Sequence, residues 1–230
     1  MREVRGLTAV AGLFAVIVTV ATIALYFAHA GAPPSGNVLA RTFLALLSFA
    51  AIIVFMAGFH HLLSTVTAEA TFALSLSRNA GLLFVAVGLF ALCNEAGVVF
   101  ADPSGTVDPT IDGPLAAANM LAHGSVKRLL TALYLVSVSH AVLQSRAFPS
   151  WLGWLGLAIG AVNLGFLPSL FFGTDPTHFY SAHGWGNSAL AGSLIIWWIL
   201  AASVCVLRRS TDVPQSESGR TKHPQSSQAG

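Results

Sequence analysis

Charge is scarce in this chain of 230 residues, in which Asp, Glu, Lys and Arg together make up 9%. Soluble domains carry about 25% charged residues, because a chain folded in water needs a polar surface. Hydrophobic residues make up 55% of the sequence, and a water-exposed fold would leave large apolar areas in contact with solvent. The composition therefore excludes an ordinary soluble domain and favours a protein that lies in a lipid bilayer.

Cysteines and the common catalytic motifs are also scarce. Cys93 and Cys205 are the only cysteines, and the topology below places them near opposite membrane faces, so we expect no disulfide. The sequence has no H-E-x-x-H motif, no Walker A loop and no G-x-S-x-G turn. Its net charge of +2 is small and spread along the chain, which gives no support to nucleic-acid binding. No strong catalytic, metal or nucleotide motif is therefore present.

Six long apolar stretches are present instead. A bilayer core of about 30 Å requires roughly 20 apolar residues in a helix, and the Ala, Gly, Leu and Val content favours helices over a β-barrel. We predict an all-α polytopic bundle of six transmembrane helices, with residues 1–209 as one domain and 210–230 as a disordered cytoplasmic tail. The predicted spans are Leu7–Ala30, Val38–Leu63, Ala80–Phe100, Val126–Leu143, Trp151–Phe172 and Ser188–Leu207.

The basic residues predict the orientation of these helices. Cytoplasmic segments are enriched in Lys and Arg, and an inside N-terminus would put eight basic residues inside and three outside. We therefore predict that both termini are cytoplasmic and that the protein lies in a bacterial inner membrane. The first apolar stretch is longer than the core of a signal peptide, which has about 7–15 residues, so we expect residues 1–30 to be retained.

A layer of polar residues is predicted near the outer face, around Glu95. An unpaired carboxylate in lipid is costly, and a rise of about 1.5 Å per residue allows the depth of possible partners to be compared. Lys127 or Arg128 is the expected partner, followed by His183, and these four residues are candidate catalytic groups. A structural ion pair explains them equally well. The other residues at this depth are Arg41, His123 and Asn187.

Further polar residues follow one face of the fourth stretch and the inner ends of its neighbours. Lys127, Thr131, Tyr134 and Ser137 are spaced four, three and three apart, and His140 is expected to continue this inward-facing stripe. Interhelical hydrogen bonds alone would also explain it. Two inner-face histidines are a weak signal for haem, so we expect neither cofactor nor metal. The candidate ligand-binding residues are His60, His61, Tyr134, Ser137, His140, Asn163 and Asn187.

The fifth stretch contains Gly156 and Gly160, a small-x-x-x-small pair that allows close approach of another helix. Packing within the bundle is favoured over a dimer interface for this pair. Pro168 is expected to kink or end the helix near the outer face. The sequence from Ser145 to Gly160, SRAFPSWLGWLGLAIG, resembles a bacterial family of small six-helix membrane proteins of unknown function. This resemblance covers the C-terminal third and implies an integral membrane protein, but it carries over no catalytic residue.

Three functions remain open at this point. The favoured hypothesis is a membrane protein whose polar cavity binds a lipid, a small amphiphile or a protein partner, because no reaction signature is present. The second is an intramembrane enzyme acting on a lipid or isoprenoid-like substrate, with Glu95 as a general acid. The third is a small proton-coupled transporter that uses Glu95 and histidines as a relay.

Overall fold

The computed structural model describes residues 2–29, 31–66, 70–104, 108–110, 112 and 115–211. Six of its helices are long and apolar enough to cross a bilayer, and the described residues contain no strand. The predicted all-α fold with six spans is therefore confirmed, and the predicted tail lies outside the described residues from 212 onward. The spans are α1 (Arg2–Tyr26), α2 (Ser35–Ser64), α3 (Thr71–Ala101), α4 (Ala116–Ser145), α5 (Ser150–Phe171) and α6 (Gly186–Arg209).

All six spans begin earlier than the apolar pattern predicts, and the third and fourth differ most. The third begins at Thr71 rather than Ala80, and its first turns carry the exposed polar residues Arg78 and Asn79. The fourth begins at Ala116 rather than Val126, because the helix Ala116–Leu121 continues into α4 through a π-helical turn at Ala122–Val126. Helices therefore extend past the apolar core at both membrane faces.

The six helices form a closed ring. Each helix packs against its neighbours in chain order, and α6 packs against α1. Buried aromatic rings meet inside the ring of helices, where the centroid of the Phe59 ring lies 5.6 Å from that of Phe55, 5.0 Å from Phe148 and 5.6 Å from Trp198. Many large apolar side chains remain exposed on the outer surface of the ring, as expected for a bundle surrounded by lipid tails.

Glycines allow α5 to approach α4 closely. A Cβ added at Gly156 would lie 2.8 Å from Trp198 Nε1 and still closer to Ser139 Oγ, and one added at Gly160 would lie 2.9 Å from a methyl group of Val136. The Gly156 and Gly160 pair is thus occupied by contacts within the bundle. The α-helical part of α5 ends at Gly165, and a short 3₁₀ turn containing Pro168 follows it.

The antiparallel order gives the ring two ends. The ends of α1, α3 and α5 lie beside the starts of α2, α4 and α6 at the end that we call the Glu95 end. The opposite end is called the Arg5 end.

Cys93 is exposed and Cys205 is buried, and both are free.

Candidate functional site

Glu95 is the buried carboxylate of the Glu95 end, with 1% of its surface exposed. Its Oε2 lies 3.4 Å from Arg41 Nη2 and accepts a hydrogen bond of 3.2 Å from the hydroxyl of Tyr26. Its Oε1 lies 3.5 Å from His123 Nε2, a contact whose geometry falls short of a hydrogen bond. One side chain of α3 therefore contacts α1, α2 and α4. These four residues are called the Glu95 cluster.

Arg41 has several partners besides the carboxylate. Its guanidinium carbon lies 4.1 Å from the centroid of the Tyr26 ring, and its Nη2 donates a hydrogen bond of 2.8 Å to Thr110 Oγ1. Cation–π contact and ion pairing thus hold the same buried side chain, which is 2% exposed. Thr110 belongs to the connection between α3 and α4, so Arg41 also ties this connection to the bundle.

The predicted partners of Glu95 are wrong. No ion pair joins Glu95 to Lys127, Arg128 or His183 among the described residues, and Arg41 with His123 takes their place. The rise per residue gives the depth of a side chain correctly, but its direction around the helix depends on packing that the sequence does not reveal. Tyr26 was not predicted, although a tyrosine at the end of a span is a usual interface residue.

The π turn at the start of α4 positions His123. Gly124 has φ −84° and ψ −108°, which is not helical, and the chain widens into a π turn over Ala122–Val126. Such turns occur frequently at functional sites, because the extra residue redirects the side chains around it. Asn119, before the turn, accepts a hydrogen bond of 2.9 Å from Asn94 on α3. The start of α4 is thus fixed to α3 by two polar contacts.

Lys127 follows this turn and points its ammonium group at aromatic rings. Its Nζ lies 5.1 Å from the centroid of Phe49 and 4.6 Å from that of Phe84, on α2 and α3. No acidic side chain of the described chain forms an ion pair with it. The side chain is half-buried. Among the described residues, Lys127 is therefore a cation held inside the bundle by the faces of two aromatic rings.

Arg128 is more deeply buried, with 5% of its surface exposed. Its Nη1 donates a hydrogen bond of 3.2 Å to Asn163 Oδ1, and its Nη2 donates one of 3.3 Å to the carbonyl of His123. The amide of Asn163 is oriented by its own bond of 2.9 Å to the Ile159 carbonyl. Gly192 of α6 leaves space for the guanidinium, because a Cβ there would lie 3.0 Å from Nη2. All of these partners are neutral.

Charge is therefore unbalanced near the Glu95 end. Among the described residues, Arg41, Lys127 and Arg128 lie inside the bundle with one buried carboxylate, Glu95, which pairs with Arg41. Asp108 and Asp112 accept hydrogen bonds from backbone amides of their own connection, at 2.9 Å and 3.3 Å. Lys127 and Arg128 are left without an anion among the described residues, and we call them the cation pair.

Several buried polar atoms around the cation pair have no hydrogen-bond partner among the described protein atoms. Buried polar groups in folded proteins are nearly always hydrogen-bonded, so a concentration of exceptions marks a place where a further polar group fits. The atoms nearest in sequence to the cation pair are Ser125 Oγ, Arg128 Nε and Thr131 Oγ1, and Asn187 Oδ1 lies on α6.

The remaining candidate residues are scattered through the bundle. Tyr134 and Ser137 are buried, and the Tyr134 ring lies 5.9 Å from that of Trp198. Asn187 donates bonds of 3.1 Å to Ser169 Oγ and 2.8 Å to the Ala182 carbonyl. His183 is half-exposed in the connection before α6. None of these contacts joins two of the candidate residues to each other.

The expected inward position of His140 is wrong, since its side chain is exposed. Each step of three residues falls short of a full helical turn by about 60°, so successive steps from Thr131 rotate the stripe away from the core. His60 is half-buried, and its Nε2 lies 3.0 Å from the Leu74 carbonyl, while His61 is exposed. No group of three His, Cys, Asp or Glu side chains that could hold a metal occurs in the part of the chain described.

Comparisons of this chain with protein-family models, curated proteins and solved structures found no match. The resemblance of residues 145–160 to a bacterial six-helix family therefore stays a prediction.

Proposed function

We propose that this multi-pass membrane protein binds an anionic amphiphile at the cation pair, with the anionic group at Lys127 and Arg128 and the apolar chain along the ring of helices. We further propose that the protein lies in the bacterial inner membrane with both termini in the cytoplasm. The binding partner is then a molecule with a single carboxylate or phosphate head and a hydrocarbon tail.

The observation that carries this proposal is a buried guanidinium and a half-buried ammonium that have no anionic partner among the described residues. Burying a charge is costly unless it is paired, and ionisable groups inside membrane segments usually serve a function. A bound carboxylate would offset one of the two positive charges and a phosphate monoester most of both. Either would supply acceptors for atoms such as Arg128 Nε. The partial exposure of Lys127 provides a route by which such an anion reaches the site.

The surroundings of Glu95 favour the binding role over the enzyme and transporter hypotheses. Three partners from three other helices already surround its carboxylate. A general acid or relay group must be reached by a substrate or by successive proton carriers, and a side chain that is 1% exposed offers little access. We therefore assign Glu95 to holding the Glu95 end together.

Binding can be measured through thermal unfolding in a neutral maltoside detergent. Dodecyl phosphate and laurate are the probes, because each combines one anionic head with one short chain. A ligand that binds only the folded state at about one hundred times its Kd stabilises the protein by about 2.7 kcal/mol. We expect a rise of the unfolding midpoint in the wild type and a clearly smaller rise in Lys127→Met.

The matched control is Arg78→Met, which removes an exposed cation at the opposite end of the ring. We expect this variant to respond to both probes as the wild type does. If Lys127→Met kept the full shift, or if Arg78→Met lost as much of it, the binding proposal would be wrong. The proposal would also be wrong if Lys127→Met unfolded at a higher temperature than the wild type without any probe and no probe stabilised the wild type. Lys127 would then be an unpaired cation without a ligand.

A further inference from the structure

A second basic site lies at the Arg5 end, on the other side of the bundle from the cation pair. A pocket with an empty volume of ≈ 360 Å³, part of it open to the surroundings, lies between the start of α1, the ends of α2 and α6 and the turn from α4 to α5. Its lining includes the apolar residues Leu62, Val66, Phe148 and Val206 together with Arg5 and Arg209. Two guanidinium groups thus share one pocket with hydrocarbon walls.

The closed ring brings the two arginines together. Arg5 lies near the start of α1 and Arg209 at the end of α6, far apart in sequence, and the contact of α1 with α6 places both on the same pocket. The guanidinium carbon of Arg209 lies 5.2 Å from the centroid of the buried Phe148 ring. A cation–π contact therefore limits the positions that the Arg209 guanidinium adopts.

Neither arginine pairs with an acidic side chain in the described part of the chain. The guanidinium fork matches the oxygens of a phosphate and binds them by paired, charge-assisted hydrogen bonds. Apolar walls beside such a fork suit the glycerol and acyl segments that follow a phosphate in a phospholipid. Basic pockets between membrane helices are known sites for anionic lipid headgroups.

The ordinary explanation is that arginines at the ends of spans only fix the orientation of the helices. Arg78 and Arg146 at the same end fit that explanation, because both are exposed and neither lines the pocket. Arg5 differs from them in being half-buried, and Arg209 in being held by an aromatic ring. We propose that Arg5 and Arg209 bind the phosphate of an anionic phospholipid whose first acyl carbons lie in this pocket.

Native mass spectrometry of the full chain tests this proposal. The protein is equilibrated in maltoside detergent with equal amounts of phosphatidylglycerol and phosphatidylcholine, and the lipids retained are counted. We expect the wild type to keep one phosphatidylglycerol preferentially. Loss of charge-assisted bonds weakens its apparent affinity by about tenfold for each of Arg5→Gln and Arg209→Gln. Without anionic lipid, Arg5→Gln should unfold at the wild-type temperature, because Arg5 has no ion pair among the described residues. Arg209→Gln should unfold at a slightly lower temperature, because it loses the cation–π contact with Phe148.

Three further variants separate the pocket from general charge effects. Val66→Trp fills the pocket while both arginines remain, so it should lose the lipid as well. Arg78→Gln removes a cation that does not line the pocket and should keep the lipid. Lys127→Met should also keep it, so failure at this site is distinguishable from failure of the proposed function. Three results would overturn the proposal. The double variant Arg5→Gln/Arg209→Gln could retain as much lipid as the wild type, or Arg78→Gln could lose as much lipid as the pocket variants. Millimolar inorganic phosphate could also displace the lipid.

Discussion

At the scale of single residues, Arg41 connects as many parts of the Glu95 end as Glu95 itself does. It contacts the carboxylate of Glu95, the ring of Tyr26 and the hydroxyl of Thr110, which belong to three different segments. A buried ion pair contributes little compared with well-packed apolar residues, but breaking it leaves an unpaired buried charge. Because Arg41 and Glu95 form such a pair, we expect the bundle to tolerate the loss of both charges better than the loss of one.

We predict that Arg41→Met lowers the free energy of unfolding by about 3–5 kcal/mol, because Glu95 loses its guanidinium partner. Glu95→Gln should cost less, since the amide oxygen still accepts the hydrogen bond from Tyr26. Unfolding in maltoside detergent, followed by circular dichroism, measures both values. Arg78→Met is the control, because its side chain is exposed and its loss should leave the unfolding midpoint within error.

The double variant Arg41→Met/Glu95→Leu removes both charges and should recover most of the stability that Arg41→Met loses. Glu95→Leu alone completes the cycle, and strictly additive costs of Arg41→Met and Glu95→Leu in the double variant would show that Arg41 and Glu95 act independently, which contradicts the ion pair.

The sequence predicts which residues share a depth but not which of them touch. Glu95, Arg41, His123 and Lys127 all fall near one end because the rise per residue of a helix is constant. Their pairing depends on the rotation of each helix, and the π turn at Ala122–Val126 changes that rotation just before Lys127. Gly124 marks a weak point in the helix, but a glycine alone does not reveal how far the helix rotates there, so the choice of Lys127 or Arg128 as the partner of Glu95 fails.

At the scale of elements, the spans are predictable because apolar length is a direct requirement of the bilayer. The ends of the spans are less predictable. The helix α3, for example, begins at Thr71, well before its apolar part. Polar turns that extend a helix into the interface carry no apolar signal, and only the structure reveals that they remain helical. The contact between α4 and α5 is a further element-scale feature, because it depends on glycines on one face of α5.

We predict that Gly156→Ala lowers the free energy of unfolding by about 1–3 kcal/mol, the usual cost of overpacking. The added methyl group would meet the buried Trp198 ring, whose Nε1 donates a hydrogen bond of 3.2 Å to the Leu152 carbonyl. Thermal unfolding in detergent measures the change. Gly97→Ala is the matched control, because nothing lies within 4 Å of a Cβ added there.

Gly97→Ala should be neutral or stabilise its helix by up to about 1 kcal/mol. Equal effects of Gly156→Ala and Gly97→Ala would contradict close contact of α5 with α4 at this position.

At the scale of the whole molecule, six antiparallel spans put both termini on one side of the membrane. The two ends of the ring then face different compartments, with the cation pair near one and the arginine pocket at the other. Two exposed serines allow the orientation to be measured, since Ser104 follows α3 and Ser64 ends α2 at the opposite end.

We predict that a membrane-impermeant maleimide added to intact cells labels Ser104→Cys and not Ser64→Cys, in a chain in which Cys93 and Cys205 are replaced by Ala. The basic residues favour this orientation, because more of them lie at the Arg5 end. Permeabilised cells serve as the control, in which both cysteines should react. The reverse pattern in intact cells would show that the termini face outward, and labelling of both positions would contradict the six-span topology.

The closed ring has a consequence for biosynthesis. The first helix enters the membrane long before the last has been made, yet α1 packs against α6 as well as α2. Until α6 arrives, part of the surface of α1 must remain against lipid, including small residues such as Gly12, whose position in the finished bundle lies against Ser203 and Phe55. Contacts between segments so distant in sequence form slowly. Completion of the ring, and with it of the arginine pocket, therefore has to wait for the release of the last helix from the insertion machinery.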